Sequence, residues 1–119
     1  MHNHTAKTTD HAKQSLGLVG NPNVGKSVVF GYFTGRYVNV SNYPGTTVEI
    51  TRGRMTGEQP HWDVIDTPGV NNFIPSSEDE VVTRNILLDD NPARILQVID
   101  AKNLRRGLLL SLQLAEMGL

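Results

Sequence analysis

The residues with the clearest chemistry are Gly20-Asn21-Pro22-Asn23-Val24-Gly25-Lys26-Ser27. Their pattern, Gly-x-x-x-x-Gly-Lys-Ser, is that of a phosphate-binding loop. Glycine tolerates positive φ and lets a bound group come close, so successive backbone N–H groups can curl round an anion. Lys26 supplies a compact positive charge for β- and γ-phosphates, and the Ser27 hydroxyl is an oxygen ligand suited to Mg²⁺. A helix starting here turns the positive end of its dipole toward the same anion. With glycine at about 7% of residues, a chance match in so short a chain arises roughly once in several hundred sequences. The plain alternative is a Gly/Asn-rich turn between a strand and a helix.

Two later stretches extend this chemistry. Asp66-Thr67-Pro68-Gly69 stands at a strand end. Its aspartate can hold magnesium through a water, and the Gly69 N–H can reach a γ-phosphate and make the loop respond to it. Between the two motifs lies Pro44-Gly45-Thr46-Thr47-Val48-Glu49. A threonine here can complete the magnesium shell and hold a mobile segment against the nucleotide, and the residues alone leave Thr46 and Thr47 equally eligible. Neither string is specific by itself; their order after the first motif is what counts.

The elements that must position these residues alternate along the chain. Residues 1–15 are polar, contain His2, His4 and His11, and read as a disordered tail, with histidine spacing that fits no closed metal site. The domain then spans 16–119. A strand at 16–20 feeds the loop, a helix follows over about 26–34 with Gly35 as its C-cap, and a polar stretch with Ser41-Asn42-Tyr43-Pro44-Gly45 comes next. Strands at 46–54 and 61–65, joined by the turn Gly57-Glu58-Gln59-Pro60, pair as a hairpin. A helix spans 78–88, capped by Ser76 or Ser77. Residues 93–99 form an apolar strand buried on both faces. The last element is a helix over 103–117 with Leu104, Leu108, Leu112 and Ala115 on one side and Leu110 and Leu114 widening its apolar face. The alternation predicts a three-layer α/β sandwich with a mostly parallel sheet.

Composition mainly excludes. At 119 residues the chain is one domain, with 38% hydrophobic and 19% charged residues, as in globular proteins rather than disordered ones. A net charge of −1 without a basic run argues against nucleic acid as a partner. The absence of cysteine removes disulfides, thiolate metal sites and cysteine nucleophiles. No stretch approaches the roughly 18 apolar residues of a membrane span, and the polar N-terminus has no signal-peptide core, which together predict a cytoplasmic location.

Taken in order, GNPNVGKS, SNYPGTTVEITRG, DTPG, SSEDEVVTRNILL and VIDAKNLRRGLLLSLQLAEMGL resemble the N-terminal G domain of the ferrous iron transport protein B (FeoB) family over about residues 16–119. Era/TrmE-like GTPases share the first motif and PGTT but are not similar in the same way around Asp100-Ala101-Lys102-Asn103-Leu104. The resemblance implies a P-loop NTPase fold that binds GTP or GDP, hydrolyses GTP to GDP and phosphate, and regulates ferrous iron uptake through a membrane permease domain, from the cytoplasmic face of the inner membrane. It implies phosphate contacts from Gly20, Asn21, Pro22, Asn23, Val24, Gly25, Lys26, Ser27, Gly45, Thr46, Thr47, Asp66, Thr67, Pro68 and Gly69. It selects Thr47 as the magnesium ligand beside Ser27 and Asp66, and makes Asn23 a ligand of an activating K⁺. Val70 stands after Gly69, so no glutamine is there to orient the attacking water.

A complete domain of this kind also carries an Asn-x-x-Asp guanine motif, further strands and helices, and the iron-conducting membrane domain, none of which is in these residues. The expectation is therefore a domain incomplete at its C-terminus. It would hold phosphates with little or no base selectivity or turnover, and would expose the edge of strand 93–99 to self-association.

Overall fold

β1 (Ser15–Gly20) is buried along its whole length and forms the axis of the molecule. The computed structural model describes residues 14–57, 62–74 and 76–119. β1 opens one residue earlier than its apolar run, because Ser15 pairs with Asp63 and the Gln14 carbonyl accepts from the Asp63 N–H at 3.1 Å. The tail histidines, His61 and the 58–60 part of the turn lie outside the described residues.

The sheet has the order β2-β3-β4-β1-β5. β1 pairs in parallel with β4 (Asp63–Asp66) on one side and with β5 (Arg94–Val98) on the other. β3 (Glu49–Met55) runs antiparallel to β4, which is the expected hairpin, and antiparallel to β2 (Thr34–Asn42) as well. β3 is thus the one described strand that opposes the rest.

Side-chain alternation along the strands divides the core into two faces. Leu16, Leu18 and Val64 pack with Phe30 of α1 (Lys26–Phe33). Ile65 and Ile50 point the other way, onto Val82 and Ile86, and Val19 packs with Leu110 and Leu114. Val82 belongs to α2 (Glu78–Asn85), and the two leucines belong to α3 (Leu104–Glu116). Helices cover both faces, giving the three expected layers.

Five local readings are corrected. The connection after α1 is a strand: Thr34, not Gly35, ends the helix in extended geometry, and the chain runs straight into β2. Val38 and Val40 of this edge strand are 43% and 55% exposed, so no buried alternation marked it. Residues 46–48 precede β3 as a closed turn, with the Tyr43 N–H bonded to the Val48 carbonyl at 2.8 Å and Gly45 at φ 80°. The helix at 78 stops being α-helical at Asn85 and finishes as a π-turn over Ile86–Asp90, where the Asn91 N–H reaches the Ile86 carbonyl at 3.2 Å.

The fourth correction concerns α3. Gly107, Leu110 and Leu114 face the core, whereas Leu104, Leu108 and Leu112 are 52%, 53% and 60% exposed. Gly107 decides the rotation, since a Cβ there would sit 2.3 Å from Ile99 Cγ2. The helix approaches the sheet at its glycine, and the stripe spaced three and four residues on from it is buried. Among the described strands β5 has one neighbour, and it is only partly buried, with Leu96 37% exposed, rather than buried on both faces.

α2 begins with reciprocal capping. Ser77 Oγ accepts from the Glu80 N–H at 3.5 Å, while Glu80 Oε1 accepts from the Ser76 N–H at 3.2 Å and from its hydroxyl at 2.5 Å. The Ser76 hydroxyl is the main reason the Glu80 carboxyl titrates below its ordinary value, with burial opposing it. A depressed folded-state pKa stabilises above the unfolded value and is lost as pH falls through the folded one. The melting temperature of wild type should therefore exceed that of Glu80→Gln at neutral pH. The difference should shrink when both are melted below the glutamate range, and a pH-independent gap would contradict this.

Candidate phosphate-binding site

The loop leaves β1 at Gly20 and turns through Asn23 at φ 63° and Gly25 at φ 93°, both left-handed. Asparagine and glycine are the residues that accept this geometry most readily. Gly25 is the N-cap of α1 without a side-chain cap bond, and its carbonyl accepts from the Val29 N–H at 3.2 Å. The first N–H groups of α1 are thereby left for another acceptor.

These residues bound a cavity of about 650 Å³, lined by residues 21–28 with Gly69 and Asp79. Most of the expected phosphate contacts therefore share one concave surface: Asn21, Pro22, Asn23, Val24, Gly25, Lys26 and Ser27 from the first motif, and Gly69 from the second. Gly20 is buried at the end of β1. Asp79, from the first turn of α2, carried no signal in the sequence beyond its place near a helix start.

The second motif is fastened to the first. The Thr67 hydroxyl donates to the Leu18 carbonyl at 2.6 Å, and the Val70 N–H donates to the Gly20 carbonyl at 3.0 Å. Asn21 Nδ2 returns a bond to the Val70 carbonyl at 3.2 Å. Gly69 packs so closely that a Cβ would stand 2.8 Å from Pro22 Cα. The half-buried Lys26 ammonium donates to the Asp66 carboxylate and the Thr67 carbonyl, joining the two motifs directly. Pro68 is half-buried between these anchored neighbours.

The 45–47 segment does not line this cavity. Thr47 Oγ1 and the Thr47 N–H both donate to Glu78 Oε1, at 2.8 and 3.3 Å. Thr46 turns inward, its hydroxyl donating to the Tyr43 carbonyl at 2.9 Å and accepting from the Val48 N–H at 3.1 Å. Tyr43 packs against the cluster formed by Val48, Ile50, Ile65, Val82 and Ile86. Burial, then the charges of Asp90 and Asp89, raise the pKa of its phenol.

Among the described residues no cluster of three or more His, Asp or Glu could hold a metal, and no helix is long and apolar enough to cross a membrane. The available hard donors are Ser27, Asp66 and the Asn23 amide.

Comparison with known proteins agrees with this geometry. The family model for "Ferrous iron transport protein B" matches residues 14–119. The Fe(2+) transporter FeoB of Methanocaldococcus jannaschii is 41% identical over 103 residues, covering 87% of this chain and 15% of that protein. The Escherichia coli K12 Fe(2+) transporter FeoB is 35% identical over 111 residues, covering 90% and 14%. A GDP-bound mutant of the S. thermophilus FeoB G-domain superposes with a TM-score of 0.83 at 40% identity, over 88% of this chain and 40% of that one. The G domain of the T. maritima FeoB iron transporter superposes with a TM-score of 0.81 at 36% identity, over 87% and 65%. The chain thus spans only a small part of the transporters it matches. On the family match, the identities and the shared fold together, it belongs to the ferrous iron transport protein B family.

Proposed function

We propose that this chain is the phosphate-binding part of a G domain that binds guanine nucleotide, hydrolyses GTP to GDP and phosphate, and thereby regulates a membrane domain conducting ferrous iron, at the cytoplasmic face of the membrane. The observation that carries the reading is the contact between the two motifs. Gly69 stands against Pro22 on the wall of the same cavity as Lys26 and Ser27. A γ-phosphate seated on the loop would meet the backbone N–H of the segment that must respond to it. The GDP-bound relative supports the choice of guanine nucleotide.

The donor set suits a hard divalent cation. Ser27 lies at the start of α1 on the cavity wall, and the Asp66 carboxylate sits beside Lys26. These oxygens would hold Mg²⁺, Asp66 through a water, and Mg²⁺ would neutralise developing phosphate charge. Thr47 joins this set only after leaving Glu78. The Asn23 amide, exposed on the loop, would ligate K⁺, which adds positive charge near the phosphates where other GTPases use an arginine. Lys26 has to turn from Asp66 and Thr67 toward the phosphates. Val70, in the place of a water-orienting glutamine, is buried and bonded to the phosphate loop, so the attacking water is oriented by other groups.

A second reading rests on the cavity lining, which consists of the phosphate loop, Gly69 and Asp79. On that reading these residues hold phosphates, base selection resides elsewhere, and turnover is slight. Phosphate release from GTP in Mg²⁺, with K⁺ against Na⁺, tests the first reading. Faster release in K⁺ is expected, and binding without any release would leave the second.

A further inference from the structure

α3 reaches back to the segment that follows Gly69. The Arg106 guanidinium donates from Nε to Asn71 Oδ1 at 3.2 Å and from Nη2 to the same oxygen. Further along the helix, Gln113 Oε1 accepts from the Phe73 N–H at 2.8 Å. Between Gly69 and these anchors lies Val70, bonded through both backbone groups to Gly20 and Asn21. Arg106 also lines, with Asp100 and Asn103, a cavity of about 190 Å³ whose other wall is Asn21 to Val24. One arginine thus stands beside the phosphate loop and grips the residue two places after Gly69.

The chemistry suits that task. Two donors of a planar cation converging on one amide oxygen fix direction as well as distance, and the bond is charge-assisted. Arg106 and Asn71 are both exposed, so truncating either opens no core cavity. Their effect has to pass through the loop they hold.

We propose that Arg106 is a positioning residue: through Asn71 it holds Gly69 and Val70 against the phosphate loop in the setting where the Gly69 N–H can meet a γ-phosphate. This rests on the function proposed above. Arg106→Ala and Asn71→Ala should each weaken binding of a non-hydrolysable GTP analogue in Mg²⁺ about three- to tenfold, leave GDP within twofold, and combine without further loss. Arg106→Lys, which keeps one donor and the charge, should recover part of the loss. Equal losses for both nucleotides, or singles that multiply in the double variant, would overturn the assignment. Amide hydrogen exchange without nucleotide decides the clamp separately: faster exchange at 69–73 in Arg106→Ala is expected, and unchanged exchange refutes it. If wild type binds neither nucleotide, the functional reading fails while the exchange result still judges the clamp.

Discussion

Replacing Lys26 with alanine should weaken Mg-GTP binding at least a hundredfold while leaving the fold intact. Two effects compete. The ammonium of Lys26 is half-buried and already paired with Asp66 and the Thr67 carbonyl, so binding phosphate costs the wild-type chain those contacts. Against this, a unit charge about 4 Å from a phosphate oxygen is worth about 4 kcal/mol at the effective dielectric of a protein surface. A tri- or diphosphate carries several such charges, and each 1.4 kcal/mol is roughly tenfold in affinity. The phosphate term wins. Alanine also leaves the Asp66 carboxylate facing the incoming anion without its cation, adding repulsion to lost attraction. Titration with a fluorescent GTP analogue, with circular dichroism as the fold control, measures this. Affinity within a few-fold of wild type would mean that phosphates do not sit over the loop.

Gly69→Ala is the second large effect, and its cause is steric. The new methyl group would meet Pro22 Cα at 2.8 Å, Pro22 N at 3.0 Å and the Asn21 carbonyl carbon at 3.4 Å. All three are backbone atoms with no rotamer to yield, so the two loops must separate. Separation strains the Val70–Gly20 and Asn21–Val70 hydrogen bonds, both near ordinary length. Overpacking of this kind costs about 1–3 kcal/mol. Stability should fall by that amount in denaturant titration. GTP-analogue affinity should fall about tenfold, with GDP affected less, because only the γ-phosphate depends on the Gly69 N–H. Gly31→Ala is the matched control: nothing stands within 4 Å of a Cβ there, and the helix gains by losing glycine. Equal melting curves for Gly69→Ala and wild type would contradict the close contact.

The site was more legible in the sequence than the details of the scaffold. A phosphate loop constrains residue types through backbone conformation and charge, and those constraints act locally, so GNPNVGKS is specific by itself, whereas DTPG gains its meaning from its order and spacing after it. That they touch follows from topology. β1 and β4 are parallel neighbours, so the loops leaving their C-terminal ends are adjacent. Only the resemblance selects Thr47, and its placement against Glu78 depends on the turn at 43–48, whose hydrogen bonds have no periodic signature.

Two of the misread elements, β2 and α3, share one physical cause, that periodicity reports burial. β2 buries little at Val38 and Val40, so only their alternation with Asn39 and Ser41 hinted at a strand. α3 carries leucines almost all round, so by pattern the Leu104, Leu108 and Leu112 stripe reads as the inward side although it is the exposed one. The usable signal was Gly107, whose missing side chain lets the helix approach Ile99.

A nuclear magnetic resonance titration of the whole chain with Mg-GTP, followed at backbone amides, tests whether the phosphates sit over the loop at 20–27. The largest shifts should fall on residues 20–27 and Gly69, with Asn71 following. Absence of shifts at saturating nucleotide, or shifts centred instead on the cavity beside Val38, Arg52 and Asp63 at the far end of the sheet, would contradict it.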